Sequence, residues 1–213
     1  LHLCDRRQRQ MCIRDSLLYV ANSGGYRKPN YDNTVSVIDI ETMTQIRKIP
    51  VGINLHRIRA DKYGKLWVSS RGDYEKIPSR LFVLEKDKRT NRMEVRDTLN
   101  VSCSEMDICG DSLYLYSVEW SNISQENNVT YGIIDVRTGE LISNSFIKDG
   151  TETDIEIPYG LKVNPETGDV YVTDAKNYVS SGNLHCYGRD GIRKWSVRTG
   201  DIPAHMAFLY KNK

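Results

Sequence analysis

"LLYVANSGG" at residues 17–25 opens a pattern that returns as "KLWVSSRGD" (65–73), "SLYLYSVEW" (112–120) and "DVYVTDAKN" (169–177). The aromatic at the third position, Tyr19, Trp67, Tyr114 or Tyr171, recurs at intervals of 48, 47 and 57 residues. A fixed period of that size marks a repeat architecture, and the longer interval marks one unit enlarged by a loop. The units fall near residues 17–64, 65–111, 112–168 and 169–213.

Each unit continues in one order. A polar loop leads to a second β-rich run, "TVSVIDI" (34–40), "RLFVLEK" (80–86), "TYGIIDV" (130–136) or "NLHCYGR" (183–189). A tight polar turn follows, then a third run such as "QIRKIPV" or "MEVRDTLNV", and a fourth run, "LHRIRAD", "EMDICGD", "YGLKV" or "AHMAFLYK", leads into the next unit. Short apolar alternations bounded by Gly, Asp and Asn describe antiparallel strands, and no segment keeps a helical period. A four-stranded meander repeated in this way can form a sandwich, a solenoid or a propeller. The period and the fixed aromatic favour an all-β fold of four propeller blades. Asp39 and Asp135, next to last in their second runs, are expected to accept backbone N–H groups of the following turn.

"LYVAN" followed by "VSVID" resembles the YVTN-type propellers of bacteria, with the likeness running from Leu17 to Tyr210. Copies three and four depart from it at "LYLYS" and "LHCYGRD". The resemblance implies a ring of seven blades, of which four are expected here, with the missing ones before Leu17 and the natural end near Lys213. In "AHMAFLYK" it implies an inner strand that opens a blade. It also implies a bacterial, extracytoplasmic protein. The long aromatic loops resemble those of surface lipoproteins of Gram-negative gut bacteria that capture corrinoids such as vitamin B12 and pass them to an outer-membrane transporter. A glycan-binding or cell-wall-binding propeller and a propeller lyase or lactone hydrolase are the rival readings.

The first 16 residues stand apart. Leu1–Ser16 carries Arg6, Arg7, Arg9 and Arg14 and has no apolar periodicity. A targeting arm, a linker and foreign sequence compete for it. It lacks the apolar core of a secretory signal, and "MCIRDS" (11–16) back-translates to a sequence resembling a library transposon end, so the segment is read as non-native and unstructured. Without it the net charge falls from +2 to zero. With no basic excess and no basic block, no nucleic-acid partner is expected. No apolar run reaches the length of a membrane-spanning helix. Cys103 and Cys109 would lie about 20 Å apart in one strand, too far for a disulfide; with Cys186 they are read as free thiols, and no Cys/His spacing suggests zinc. The sequons at Asn100, Asn122 and Asn128 are chance matches.

Function is expected at the loops between the second and third strands of each blade and at the blade connections, which open on one side. Tyr26, Arg27, Tyr31, Arg71, Tyr74, Trp120, Tyr159 and Tyr178 all fall there. Tyr, Trp and Arg carry most binding energy at interfaces, so these eight are the expected contacts of a small-molecule or glycan ligand. His56 and His205 sit at corresponding connections and His185 in a strand. Without a carboxylate set or a nucleophile motif beside them they are read as structural histidines bonded to loop carbonyls. No catalytic residue, metal or cofactor is assigned.

Overall fold

The repeated runs become strands in a computed structural model that describes residues 17–25, 27–121 and 126–209. Fifteen strands form four antiparallel meanders among these residues. Sheet I holds β1 (Leu17–Ala21), β2 (Thr34–Asp39) and β3 (Thr44–Pro50). Sheet II holds β4 (Leu55–Ala60), β5 (Leu66–Ser70), β6 (Arg80–Lys86) and β7 (Met93–Leu99). Sheet III holds β8 (Glu105–Cys109), β9 (Ser112–Ser121), β10 (Glu126–Asp135) and β11 (Leu141–Ser143). Sheet IV holds β12 (Pro158–Val163), β13 (Val170–Asp174), β14 (Ser181–Tyr187) and β15 (Arg193–Asp201). The fold is all-β, four blades of a propeller, with sheet I showing three strands. Tyr26, Leu1–Ser16 and residues 210–213 lie outside the described residues, and with them the expectation for the first segment.

The sheets are offset by one strand from the sequence repeat. Each fourth run is the first strand of the next sheet, as β4, β8 and β12 show. The last fourth run departs from this. Pro203–Leu209 forms no strand; Thr173 Oγ1 donates to the Pro203 carbonyl at 2.5 Å and Phe208 meets Tyr171 edge-on at 5.2 Å. Sheet IV already has its four strands, so this run crosses the sheet face instead of extending its ladder.

The chain divides into two compact units, residues up to Ser102 and Cys103–Tyr210. In the first, Val35, Val37 and Ile49 of sheet I pack on Leu55, Leu66, Val68 and Phe82 of sheet II. In the second, Tyr114 and Tyr116 of sheet III pack with Phe146, Ile147 and Ile155 on Leu161, Val170, Val172 and Tyr187 of sheet IV. The 14 residues between β11 and β12, including a 3-10 turn at Thr151–Asp154, account for the longer spacing of that repeat. They supply three of the core side chains, so the inserted segment is packed.

The tight turns behave as their composition dictates. Asp39 Oδ1 accepts the N–H groups of Glu41 and Thr42 at 2.9 Å each. Asp135 Oδ1 accepts that of Arg137 at 2.8 Å, and the Arg137 guanidinium then holds the Asp135 carboxyl down at about 2. Among the described residues Cys103, Cys109 and Cys186 form no disulfide.

Candidate functional site

Each unit collects its long loops at one end. In the first, the β1–β2 loop and the β5–β6 loop leave from the same end of sheets I and II, and Lys28 Nζ meets Glu75 Oε1 across them at 2.7 Å. The second of these loops is built on Asp73, whose Oδ1 accepts the N–H groups of Glu75, Lys76 and Ile77 within 2.9 Å. Those bonds hold its carboxyl below the usual range, the bond from Ile77 most. Gly72, at φ +65°, admits this turn because a Cβ there would collide with the Ile77 carbonyl. Tyr74 is lifted outward at φ +63° and is 64% exposed.

At this end the edge strand β4 begins with a bulge. Pairing passes from Leu55–Ser70 to Ile58–Val68, so His56 and Arg57 together face Ser69. The Arg57 N–H donates to Ser69 Oγ at 3.0 Å. An extra residue of this kind turns side chains away from the regular alternation. Arg71 Nη2 then lies 2.8 Å from His56 Nε2. A guanidinium has only donors, so Nε2 is the acceptor and His56 carries its proton on Nδ1. Burial, then the charges of Arg71, Arg57 and Arg59, push the His56 pKa down to about 3.

The second unit repeats the construction with other side chains. Pairing of β12 with β13 slips between Pro158–Asp174 and Gly160–Thr173, which makes Tyr159 the extra residue. Ser70 and Asp174 hold the same position in the repeat and fix the same connection: Ser70 Oγ donates to the Ile53 carbonyl at 2.6 Å, and Asp174 Oδ1 accepts the Ile157 N–H at 2.9 Å. Tyr159 meets Tyr178 edge-on, with centroids 5.7 Å apart and planes at 79°. They remain 38% and 46% exposed. Tyr178 sits at φ +62° in a turn held by Asn177 Oδ1, which accepts from Val179 and Ser180.

Of the eight expected contacts, seven lie within the described residues. Arg27, Tyr31, Arg71 and Tyr74 share the loop end of the first unit; Tyr31 is half-buried, and Arg27 donates to the Gly24 carbonyl and stands 3.9 Å from Asp32. Tyr159 and Tyr178 form the pair just described. Trp120 differs from expectation: in the segment taken as a loop, residues 117–121 and 126–128 belong to the paired strands β9 and β10, and Trp120 lies in β9 opposite Asn127, 57% exposed. The alternating Tyr114, Tyr116 and Val118 simply continue as strand to that point.

The histidine expectation is corrected. His56 bonds a guanidinium and no loop carbonyl, and His205 is exposed in the run after β15. His185 is 2% exposed and, among the described residues, neither ring nitrogen has a hydrogen-bond partner. Burial lowers its pKa despite the opposing charge of Asp174. Sequence reasoning also missed the gathering of Arg57, Arg59 and Arg71 around His56. "LHRIR" reads as an ordinary strand, and only the bulge brings its charges together with a loop residue. Among the described residues no three His, Cys, Asp or Glu side chains gather as metal ligands. A polar groove lined by Glu85, Asp87, Glu94 and Arg96 opens at the β6–β7 turn, the end opposite the long loops.

No family model and no curated protein matches the sequence. Among solved structures the chain is similar to hydrazine synthase of Kuenenia stuttgartiensis, with a TM-score of 0.58 and 20% identity over 81% of this chain and 48% of that one. It also matches a protein described as a dipeptidyl aminopeptidase IV from Bacteroides ovatus, with a TM-score of 0.41 and 12% identity over 84% of this chain and 27% of that one. The chain thus spans about half, or less, of the solved chains it matches. At such identity the first likeness is one of fold, and it agrees with the four blade-like sheets.

Proposed function

We propose that this chain is part of a non-catalytic, extracytoplasmic propeller that binds a ring-rich small molecule through its loop ends, a corrinoid first and a soluble or cell-wall glycan second, and in the corrinoid case hands it to an outer-membrane transporter. The observation that carries the reading is the Tyr159–Tyr178 pair, two rings held edge to face at a bulged strand start and left open to solvent. Aromatic side chains offer broad apolar faces at low entropic cost together with a polar tip, as a ring-rich ligand needs. Tyr74, held outward by the Asp73 turn, supports the same reading for the first unit. Among the described residues no helix is long and apolar enough to cross a membrane.

Calorimetry with cobalamin, and separately with soluble glycans, tests the proposal. Tyr178→Ala, Trp120→Ala or Tyr74→Ala is expected to weaken binding by about 2 kcal/mol, roughly thirtyfold. Tyr63→Ala at the β4–β5 turn, away from the loops, is expected to leave it unchanged. Equal losses from both ends, or turnover of a lactone or ester without binding of either ligand class, would replace the proposal with an enzyme.

A further inference from the structure

Arg71, Arg57 and Arg59 bring three guanidinium charges to bear on His56. Arg71 projects from the end of β5 into solvent and its guanidinium contacts the neutral Nε2 of His56, so that bond neutralises none of its charge. Among the described residues no carboxylate lies within ion-pair distance of Arg71, whereas Arg27 has Asp32 and Lys28 has Glu75. The bulge that places His56 and Arg57 against Ser69 fixes the backbone from which this cluster projects. A guanidinium whose fork is oriented by one side bond keeps its other N–H groups for a second acceptor, and its geometry suits a carboxylate or phosphate in a two-point contact.

We infer that the start of β4 is an oxyanion subsite, at which Arg71, steadied by His56, takes a carboxylate or phosphate group of the ligand by a two-point hydrogen-bonded contact. His56 acts as a positioning residue: its Nε2 accepts one guanidinium N–H and turns the remaining donors outward. The subsite rests on the reading that this loop end carries the ligand, and adds to it that the ligand bears an anionic group.

The test follows the His56 imidazole resonances of the full chain by NMR while inorganic phosphate, sulfate or acetate is added at constant ionic strength with chloride as the balancing ion. Phosphate is expected to shift the His56 signals saturably and to raise the pH at which that ring titrates, since an anion beside it offsets the guanidinium charges. Acetate producing the shift more strongly than phosphate or sulfate would assign the subsite to a carboxylate, and the reverse order to a phosphate. Arg71→Gln is expected to weaken the effect at least about tenfold, the scale of one charge-assisted contact, with Arg71→Lys intermediate because it keeps the charge and loses the fork. His56→Gln should weaken phosphate binding, measured by calorimetry, less than Arg71→Gln does. Arg71 is exposed, so both of its variants should melt with the parent chain. No shift with any of the three anions, or an unchanged shift in Arg71→Gln, would overturn the inference. It fails independently of the ligand proposal: phosphate can bind here while the aromatic variants leave cobalamin and glycan binding untouched, and the converse can also hold.

Discussion

Trp67 shows how one residue of the repeat is secured. Its ring is fully buried and its Nε1 donates at 2.9 Å to Asp61 Oδ2, while Asp61 Oδ1 accepts the N–H groups of Tyr63 and Lys65 and so closes the β4–β5 turn. Trp67→Phe keeps the aromatic body but leaves a buried carboxylate oxygen short of a donor, and a loss of about 1–3 kcal/mol is expected in urea unfolding. His56 sets a different kind of sensitivity. Its pKa is below that of the unfolded chain, so the unfolded state takes up the proton first and stability falls as pH drops from 6.5 toward about 3. The depressed carboxyls of Asp39, Asp73, Asp87 and Asp135 act in the same direction, but only as pH nears and passes below the ordinary value of 3.8. His56→Gln is therefore expected to make the decline of melting temperature between pH 6.5 and 3.8 shallower, the remainder coming from His185, whose pKa burial also lowers, and to leave the steeper acid limb in place. A variant that melts with the parent's full pH profile would contradict this account of His56.

At the scale of elements, strand order was legible because alternation and turn chemistry are local. The runs beginning at Leu17, Thr34, Arg80 and Val170 all became strands, and Asp39 and Asp135 closed their turns as Asx geometry requires. The bulges were not legible, since Leu-His-Arg and Pro-Tyr-Gly share no pattern and the extra residue is visible only in the pairing with β5 or β13. Nor was the path of the run after β15, because its apolar residues suit a ladder and a sheet face equally. That path depends on Gly160, where a Cβ would collide with the Ala204 carbonyl. Gly160→Ala is expected to free Pro203–Phe208 from sheet IV, seen as faster protease cleavage after Phe208 and loss of contact shifts between Tyr171 and Phe208 in NMR spectra.

For the whole molecule, the sheet faces decide solution behaviour. Leu17, Tyr19 and Ala21 of β1 pack toward sheet II, while Leu18 and Val20 on the other face of the same strand are 48% and 37% exposed. Ile46 of β3 is exposed as well. Apolar side chains grouped on an open sheet attract other apolar surface, so the chain is expected to enhance the fluorescence of a hydrophobic dye and to associate as concentration rises, both reduced in Leu18→Lys with Val20→Lys. A monomer that leaves the dye dark would count against this reading of the face. The two bulges have a consequence of another kind. One kink, made twice from the same pairing slip, presents a histidine and an arginine in one copy and a tyrosine and a glycine in the other. On either side of it Leu55 and Ile58, or Pro158 and Leu161, stay engaged with their neighbouring strand. A chain assembled from duplicated modules can therefore give each module its own chemical vocabulary by exchanging the one residue that the kink turns out of the regular alternation, His56 in one copy and Tyr159 in the other, while the paired residues on either side keep the scaffold common.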